Sequence, residues 1–205
     1  MKKIMFVCTG NTCRSPMAEV ILRTMLKEKK ITGIKVSSAG VSPVVGQPIM
    51  PNANAALLAL GFKPVKYRAR QLTSLEIEEY DLIICMTEGH KRFLGSVEHV
   101  TTVAAITGLH DVDDPYGDSL DTYIKTAEYL KYACGDIISI IEKVKKAAKS
   151  QKAVKPERIK IDKPKKIKPE KPKKAKIEKP DKIKKIKPEK KIKINDKENK
   201  RGKTF

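Results

Sequence analysis

A cysteine and an arginine separated by five residues lie near the start of the chain, in the stretch Cys8-Thr9-Gly10-Asn11-Thr12-Cys13-Arg14-Ser15-Pro16. A cysteine thiolate is a strong nucleophile when a helix N-terminus or nearby cations lower its pKa. The planar guanidinium of Arg14 can bind two phosphate oxygens at once, and Ser15 could donate a hydrogen bond to the thiolate. We therefore expect phosphoryl transfer, with Cys8 as the nucleophile and Arg14 as the electrostatic clamp.

This chemistry also needs a carboxylic acid, which protonates the leaving group and then activates water. Asp113 and Asp114 stand directly before Pro115-Tyr116-Gly117, in a polar segment between two predicted elements. From the residues alone, either carboxylate can be the acid. To act on a substrate bound at Cys8, the acid must come from a loop at the same edge of the fold as Cys8.

The elements around the cysteine predict a strand, a tight loop and a helix. The apolar run Ile4-Met5-Phe6-Val7 is typical of a buried parallel strand, and apolar residues recur at helical spacing after the loop. Ser15 is a good N-cap, with Pro16 in the first helical turn. Such a loop points backbone N–H groups and the positive end of a helix dipole into one concavity, which suits a phosphate.

The rest of the first 150 residues alternates between strands and helices. Further strands are predicted at Ile34–Gly40, Leu82–Met86 and Val100–Ile106, and further helices after Met50, Thr73 and Thr87 and from Thr122 to about Ala148. This alternation indicates an α/β fold, a flavodoxin-like doubly wound four-stranded parallel sheet in the order 2-1-3-4 with helices on both faces. Ligands bind at the carboxyl ends of such strands, where Cys8 falls, and the loop Val41–Met50 is expected nearby.

The net charge of +20 is concentrated at the C-terminal end of the chain. Residues 1–150 contain 20 Lys and Arg against 16 Asp and Glu, whereas residues 151–205 contain 24 against 8. The second segment is rich in Lys and Pro, and Phe205 is its only aromatic residue, so it predicts a disordered basic tail after a globular domain of residues 1–150. The tail either solubilises the domain or binds a non-specific anionic partner, nucleic acid or a membrane surface.

Composition argues against several classes of protein. No segment approaches the ~18 apolar residues that span a bilayer, and no signal-like segment begins the chain. We therefore expect a soluble, cytoplasmic monomer.

Four cysteines in 205 residues predict reduced thiols rather than a disulfide framework. No second close pair of Cys or His follows Cys8 and Cys13, so no metal is expected. The three histidines, which lack metal-binding spacing, are expected at the surface or in local hydrogen bonds: His90, His99 and His110.

The Cys8–Pro16 stretch resembles the C-x5-R-S signature of the low-molecular-weight protein (tyrosine) phosphatases, and Asp114-Pro115-Tyr116 resembles the general-acid loop of that family. The resemblance covers about residues 2–148. It implies a phosphocysteine intermediate formed without metal or cofactor, and phosphorylated proteins as substrates. By this match Cys8 is the nucleophile, Arg14 binds phosphate, and Asp114, in preference to Asp113, is the acid and base. The residues that it implies for substrate or phosphate binding are Thr9, Gly10, Asn11, Thr12, Cys13, Ser15 and Tyr116.

Within that family the loop is most similar to that of the bacterial protein arginine phosphatases, because Thr12 stands where tyrosine-directed members usually carry a larger aliphatic residue. A threonine hydroxyl can accept a hydrogen bond from a guanidinium, whereas an aliphatic side chain packs on a phenyl ring. We expect phosphoarginine in proteins as the substrate, with phosphotyrosine as the alternative. Tyr116 could form one wall of the pocket and stack on either group.

Two other functions share parts of this pattern. An arsenate reductase of the same fold would need two further cysteines close together near the end of the third strand, whereas Cys85 and Cys134 are far apart in sequence. A non-enzymatic protein, tethered to nucleic acid by its tail, would have a vestigial loop.

Two loop residues have roles besides substrate binding. The resemblance places Asn11 where the loop takes an unusual backbone conformation, which Asn tolerates. Cys13 is either a small buried residue of the first helical turn or the partner that resolves oxidised Cys8 as a reversible disulfide.

Overall fold

Four parallel strands form the central sheet of this computed structural model, which describes residues 1–153. They lie in the order β2-β1-β3-β4, so the predicted order 2-1-3-4 is confirmed. The strands are β1 (Lys3–Cys8), β2 (Lys35–Gly40), β3 (Leu82–Cys85) and β4 (Val100–Thr102). Because all four are parallel, their carboxyl ends share one edge of the sheet, and Cys8 is the last residue of a central strand.

Within residues 1–153, six helices connect and cover the strands. They are α1 (Arg14–Glu28), α2 (Pro51–Ala59), α3 (Ser74–Glu79), α4 (Glu88–Leu94), α5 (Val103–Thr107) and α6 (Leu120–Ala153). The predicted starts of α3 and α4, directly after Thr73 and Thr87, are confirmed. Thr73 forms a reciprocal capping box with Glu76, and the Thr87 hydroxyl accepts from the His90 N–H. No helix in residues 1–153 is both long and apolar enough to cross a membrane.

Both faces of the sheet are buried, as a doubly wound fold requires. Ile4, Phe6 and Cys8 of β1 belong to the larger apolar cluster, which contains residues of α1, α2 and α6. The alternate residues Met5 and Val7 belong to a smaller cluster on the other face. The near-continuous apolar run in β1 therefore reflects burial on two sides, and the nucleophile candidate lies on the side of α1.

The predicted strand Val100–Ile106 is wrong in its second half. Only Val100–Thr102 pairs with β3, and the chain then turns into the short helix α5. The Thr102 hydroxyl accepts a hydrogen bond from the N–H of Ala105, and Gly108 ends the helix at a φ of +71°. Thr102 is therefore an N-cap inside an apolar run whose length alone suggested a strand.

The final helix is longer than expected at both ends. It begins at Leu120, because the Ser119 hydroxyl accepts from the Thr122 N–H, and it continues to Ala153. The predicted boundary at residue 150 and the disordered tail of residues 151–205 stay predictions, since residues 154–205 lie outside those the structure describes. The monomeric state and the cytoplasmic location likewise stay predictions.

Gly40 sets how closely β2 approaches the loop after β1. A Cβ atom on Gly40 would lie 2.5 Å from the backbone oxygen of Thr9 and 3.1 Å from the Cβ of Asn11. The residue after Gly40 also bonds to the end of β1, since the N–H of Val41 donates to the backbone oxygen of Cys8. A side chain at position 40 would therefore displace the loop.

Replacement of Gly40 by alanine is expected to reduce the free energy of unfolding by about 1–3 kcal/mol, because overpacking against backbone cannot relax by a side-chain movement. The measurement is urea unfolding followed by circular dichroism. Gly135→Ala is the matched control, since nothing lies within 4 Å of the Cβ it adds in α6; it is expected to stabilise by about 0.5–1 kcal/mol. Equal stabilities of Gly40→Ala and the parent protein would contradict the packing argument.

Candidate active site

Cys8 ends β1 with its thiol beneath the loop that follows. The residue is 2% exposed. Its Sγ lies 2.9 Å from the hydroxyl of Ser15 and accepts a hydrogen bond from the N–H of Asn11 at 3.3 Å. Two polar hydrogens can therefore approach the sulfur, and both would stabilise a negative charge on it.

Ser15 is not the N-cap that the sequence predicted. The helix begins one residue earlier, at Arg14, and Cys13 precedes it without a side-chain capping bond within the described chain. The Ser15 hydroxyl instead binds Cys8 Sγ and accepts from the side-chain amide of Asn11 at 2.8 Å. The Ser15 hydroxyl therefore bonds the thiol and the amide rather than capping α1.

Asn11 holds the loop in a left-handed backbone conformation, with a φ of +54° and a fully buried side chain. Its amide nitrogen donates to the hydroxyls of Ser15 and Ser38, and its oxygen accepts from the Tyr67 hydroxyl and the Arg70 N–H, all within 3.1 Å. Four hydrogen bonds therefore use the full capacity of the amide. The predicted unusual conformation is confirmed, and the contacts that enforce it are visible.

A buried acidic residue supports this arrangement from behind. The hydroxyl of Ser38 donates to Glu19 at 2.8 Å, and Arg23 donates to the other oxygen of Glu19 at 2.9 Å. Burial raises the pKa of Glu19, and burial also raises the pKa of Tyr67. Sequence spacing could not indicate this network, because its members come from α1, β2 and the segment after α2.

Arg14 is buried, and its guanidinium faces the acid loop. Nη2 donates to Asp114 at 2.6 Å and Nη1 donates to the carbonyl of Val112 at 3.2 Å. The Nε–H is buried and meets no acceptor among the described residues. An unsatisfied donor at this depth is unusual in a folded protein, and an anion in the adjacent cavity would satisfy it.

The two aspartates of the acid loop face different cavities. Asp114 lies on the side of Cys8, where its second carboxylate oxygen accepts from the N–H of Tyr116 at 3.3 Å. Asp113 lines a separate cavity beside α6, together with Lys125 and Tyr129. The geometry therefore favours Asp114, as the family resemblance did.

One open cavity of about 240 Å³ brings the predicted residues together. Its lining residues are Cys8, Thr9, Gly10, Asn11, Thr12, Cys13, Arg14, Ser42, Val44, Gln47, Asp114 and Tyr116. Ser15 is the one predicted site residue outside this lining, and it lies beneath Cys8. The loop Val41–Met50 supplies part of the rim, as expected. Among the described residues, no three His, Cys, Asp or Glu side chains are grouped to hold a metal ion.

A cysteine at the end of a strand, a loop at a helix N-terminus, a buried arginine and an aspartate in one cavity match a known family. The family model described as low molecular weight phosphotyrosine protein phosphatase matches residues 3–171. The chain belongs to this family. The predicted family and its enzyme class, protein phosphatase, are thus confirmed.

The relatives of this phosphatase carry two kinds of name. The low molecular weight protein-tyrosine-phosphatase PtpB of Staphylococcus haemolyticus is 35% identical over 140 residues, which cover 66% of this chain and 96% of PtpB. The protein-arginine-phosphatase of Bacillus subtilis is 37% identical over 135 residues, covering 62% of this chain and 89% of that protein. A solved structure of the YwlE arginine phosphatase, a cysteine-to-serine mutant with a phosphorylated active-site serine, matches with a TM-score of 0.64 and 33% identity, covering 69% of this chain and 96% of that one.

The remaining cysteines of the phosphatase are buried thiols. Cys13 Sγ lies 3.2 Å from the hydroxyl of Tyr123, and burial raises the pKa of both groups. Cys85 and Cys134 belong to the apolar clusters on opposite faces of the sheet. Burial raises the pKa of Cys85 to about 12 and also raises that of Cys134. Cys85 and Cys134 are therefore packing residues, which removes the support for a disulfide relay.

His90 makes one contact that was expected and one that was not. The expected local hydrogen bond is confirmed, since Nδ1 lies 2.7 Å from the Thr87 hydroxyl, but the side chain is also buried and contacts Thr9 of the loop. Its spacing of three residues from the N-cap Thr87 was a signal for a local contact. Nothing in the spacing indicated the contact with Thr9, which joins residues 81 positions apart.

Two substitutions at position 11 separate the backbone and side-chain roles of Asn11 in the phosphatase. Asn11→Gly tolerates the positive φ but leaves the partners of the amide unpaired, so we expect a loss of about 1–3 kcal/mol. Asn11→Ala adds the left-handed strain, a further loss of about 1–2 kcal/mol. Chemical unfolding measures both. If the two variants were equally stable, the strain at this position would be negligible and the argument for Asn11 would fail.

Proposed function

We propose that this phosphatase hydrolyses phosphoarginine in proteins through a phosphocysteine intermediate on Cys8. The observation that carries the proposal is that Cys8, Arg14 and Asp114 line one small cavity at the carboxyl edge of the sheet. Small-molecule sites usually measure roughly 300–1,000 Å³, so a cavity of about 240 Å³ suits the end of a side chain better than a whole metabolite.

In the first step the Cys8 thiolate attacks phosphorus and forms the S–P bond. The bond from phosphorus to the guanidino nitrogen breaks, and its electron pair stays on that nitrogen, which takes the proton of Asp114. The Asn11 N–H and the Ser15 hydroxyl lie 3.3 and 2.9 Å from Sγ and stabilise the thiolate before the attack. The solved structure of the arginine phosphatase mutant with a phosphorylated active-site serine supports a nucleophile at the position of Cys8.

In the second step water attacks the phosphocysteine. The Asp114 carboxylate takes a proton from the water, the new P–O bond forms, and the S–P bond breaks with its electron pair returning to Cys8. Inorganic phosphate leaves and the thiolate is restored. One residue acts as acid and then as base because the first step leaves it in the deprotonated state that the second step needs.

Arg14 connects phosphate binding to the acid. In this structure its Nη2 donates a hydrogen bond to the Asp114 carboxylate at 2.6 Å. A phosphoryl group bound by the free Nε–H and the loop would compete for the guanidinium. One guanidinium thus faces both the acid and the cavity in which a phosphoryl group would bind.

Thr12 supports phosphoarginine as the substrate. The residue lines the cavity but is only 4% exposed, and its hydroxyl has one hydrogen-bond partner among the described residues, Cys13 Sγ at 3.6 Å. A weak sulfur contact leaves the oxygen able to accept from a guanidino N–H. The arginine phosphatase of Bacillus subtilis is a relative of this chain.

Phosphotyrosine is the second candidate. Tyr116 lies on the rim with 61% of its surface exposed, and its ring could stack on a phenol as well as on a guanidinium. PtpB of Staphylococcus haemolyticus, a relative of similar identity, is named a tyrosine phosphatase.

The two aspartates provide a matched test of the mechanism. Asp114→Asn is expected to lower kcat by about 10²–10⁴-fold, the usual contribution of a general acid, with the larger loss on substrates with poor leaving groups. Asp113→Asn is expected to behave like the parent enzyme, because that carboxylate faces another cavity. Cys8→Ser must abolish turnover of a small aryl phosphate. Turnover by that variant would end the proposal, and equal losses from the two aspartates would remove the role of Asp114.

Two variants test the hydroxyl of Thr12 and the size of its side chain separately. Thr12→Val keeps the shape and removes the hydroxyl, whereas Thr12→Ile also adds bulk. Because an unpaired polar group at the substrate is costly, we expect both variants to lower kcat/KM on phosphoarginine peptides relative to phosphotyrosine peptides by about 10- to 100-fold. A shift in Thr12→Ile alone would assign selectivity to size. No shift in either variant would overturn the argument from Thr12.

A further inference from the structure

His90 bridges the nucleophile loop and the N-terminus of α4. The side chain is buried, with 8% of the residue exposed. Its Nε2 lies 2.9 Å from the hydroxyl of Thr9, and its Nδ1 lies 2.7 Å from the hydroxyl of Thr87. Both ring nitrogens are therefore used, and each contacts a hydroxyl that can donate or accept.

The surroundings of His90 favour the neutral form of its imidazole ring. A neutral histidine has one donor and one acceptor, which the two hydroxyls can satisfy in either tautomer. Burial lowers the pKa of His90, and the positive charge of Arg14 lowers it further, against the opposing effect of Asp114 and Asp111. The ring is thus a neutral bridge between two hydroxyl groups.

Thr9 is held from two directions. It is the first residue after Cys8, and its backbone oxygen accepts a hydrogen bond from the N–H of Ser42 at 3.1 Å. The same oxygen lies against Gly40, where no side chain fits. His90 holds the side chain of Thr9 by its hydroxyl. The backbone directly after the nucleophile is therefore clamped between the loop after β2 and the start of α4.

We propose that His90 is a positioning residue of the phosphatase reaction, which fixes the loop through its hydrogen bond to the Thr9 hydroxyl. The proposal rests on the proposed function, since it concerns the loop that binds the transferred phosphoryl group. Donors that are held in place before the reaction stabilise the transition state most. Loss of the bridge should therefore lower kcat more than it changes KM.

Two variants of His90 each keep one of its two contacts. The side-chain amide of asparagine reaches the position of Nδ1, so His90→Asn keeps the contact with Thr87 and loses the contact with Thr9. The amide of glutamine reaches the position of Nε2, so His90→Gln keeps the contact with Thr9. We expect kcat to fall about tenfold in His90→Asn and to be largely rescued in His90→Gln, the loss of one hydrogen bond being of this size.

The control and the double variant distinguish positioning from simple destabilisation. His99→Asn changes a histidine that contacts the carbonyl of Ile77, away from the cavity, and should leave kcat unchanged. Thr9→Val should reproduce the loss of His90→Asn, and the double variant should be no slower than either single one, because one interaction is removed. Losses that multiply in the double variant, or a lowered Tm in His90→Asn with unchanged kcat, would overturn the proposal.

Binding of inorganic phosphate gives a readout that does not depend on turnover. Isothermal titration is expected to show weaker phosphate binding by His90→Asn than by the parent protein, with His90→Gln close to the parent. Equal binding by all three would overturn the role of His90. Failure of the proposed function would give a different result. In that case the parent protein would show no turnover that depends on Cys8, and the behaviour of the His90 variants would not matter.

Discussion

The buried amide of Asn11 is the group on which the rest of the site depends. Its left-handed backbone is unfavourable for a residue with a side chain, so it persists only because surrounding contacts enforce it. The amide makes four hydrogen bonds, and one of them orients Ser15, whose hydroxyl lies beside the sulfur of Cys8. The N–H of the same residue donates to that sulfur. The position of the thiol is thus determined by polar groups buried around a single side chain.

Such a network has a cost, which the structure shows at Glu19. Burial raises the pKa of this carboxyl, so the folded protein disfavours its charge although Ser38 and Arg23 bind it. A buried polar network of this kind rarely adds net stability over apolar packing. Its benefit is that hydrogen bonds have direction, whereas apolar contacts do not. The directed hydrogen bonds around Asn11 therefore favour one geometry of the loop, and donors held in place before a reaction stabilise its transition state most.

The sequence predicted the parts of this site that depend on local order. Strand β1, the loop and α1 follow each other directly, so residue types and spacing were sufficient for them. The choice of Asp114 over Asp113 came from the family resemblance of the Asp-Pro-Tyr segment. Ser15 and Thr102 show where local rules fail, since one good N-cap residue bonds the thiol instead and another caps a helix inside an apolar run. His90 and Tyr67 could not be found, because their contacts with Thr9 and Asn11 join distant segments and exist only once the sheet has formed.

In the proposed reaction, the chemistry and the choice of substrate depend on different parts of the cavity. Cys8, Arg14 and Asp114 would act on phosphorus, its oxygens and the leaving atom, which is nitrogen in phosphoarginine and oxygen in phosphotyrosine. A tyrosine phosphatase and an arginine phosphatase are both relatives of this chain. The two substrates also differ beyond the leaving atom, where a guanidine offers further N–H donors and a phenol offers only a ring. Thr12 has an oxygen with a single weak partner among the described residues, so under the proposed function it would gain a hydrogen bond from the first substrate and none from the second. The proposed selectivity therefore depends on one hydroxyl at the wall of the cavity rather than on the catalytic groups.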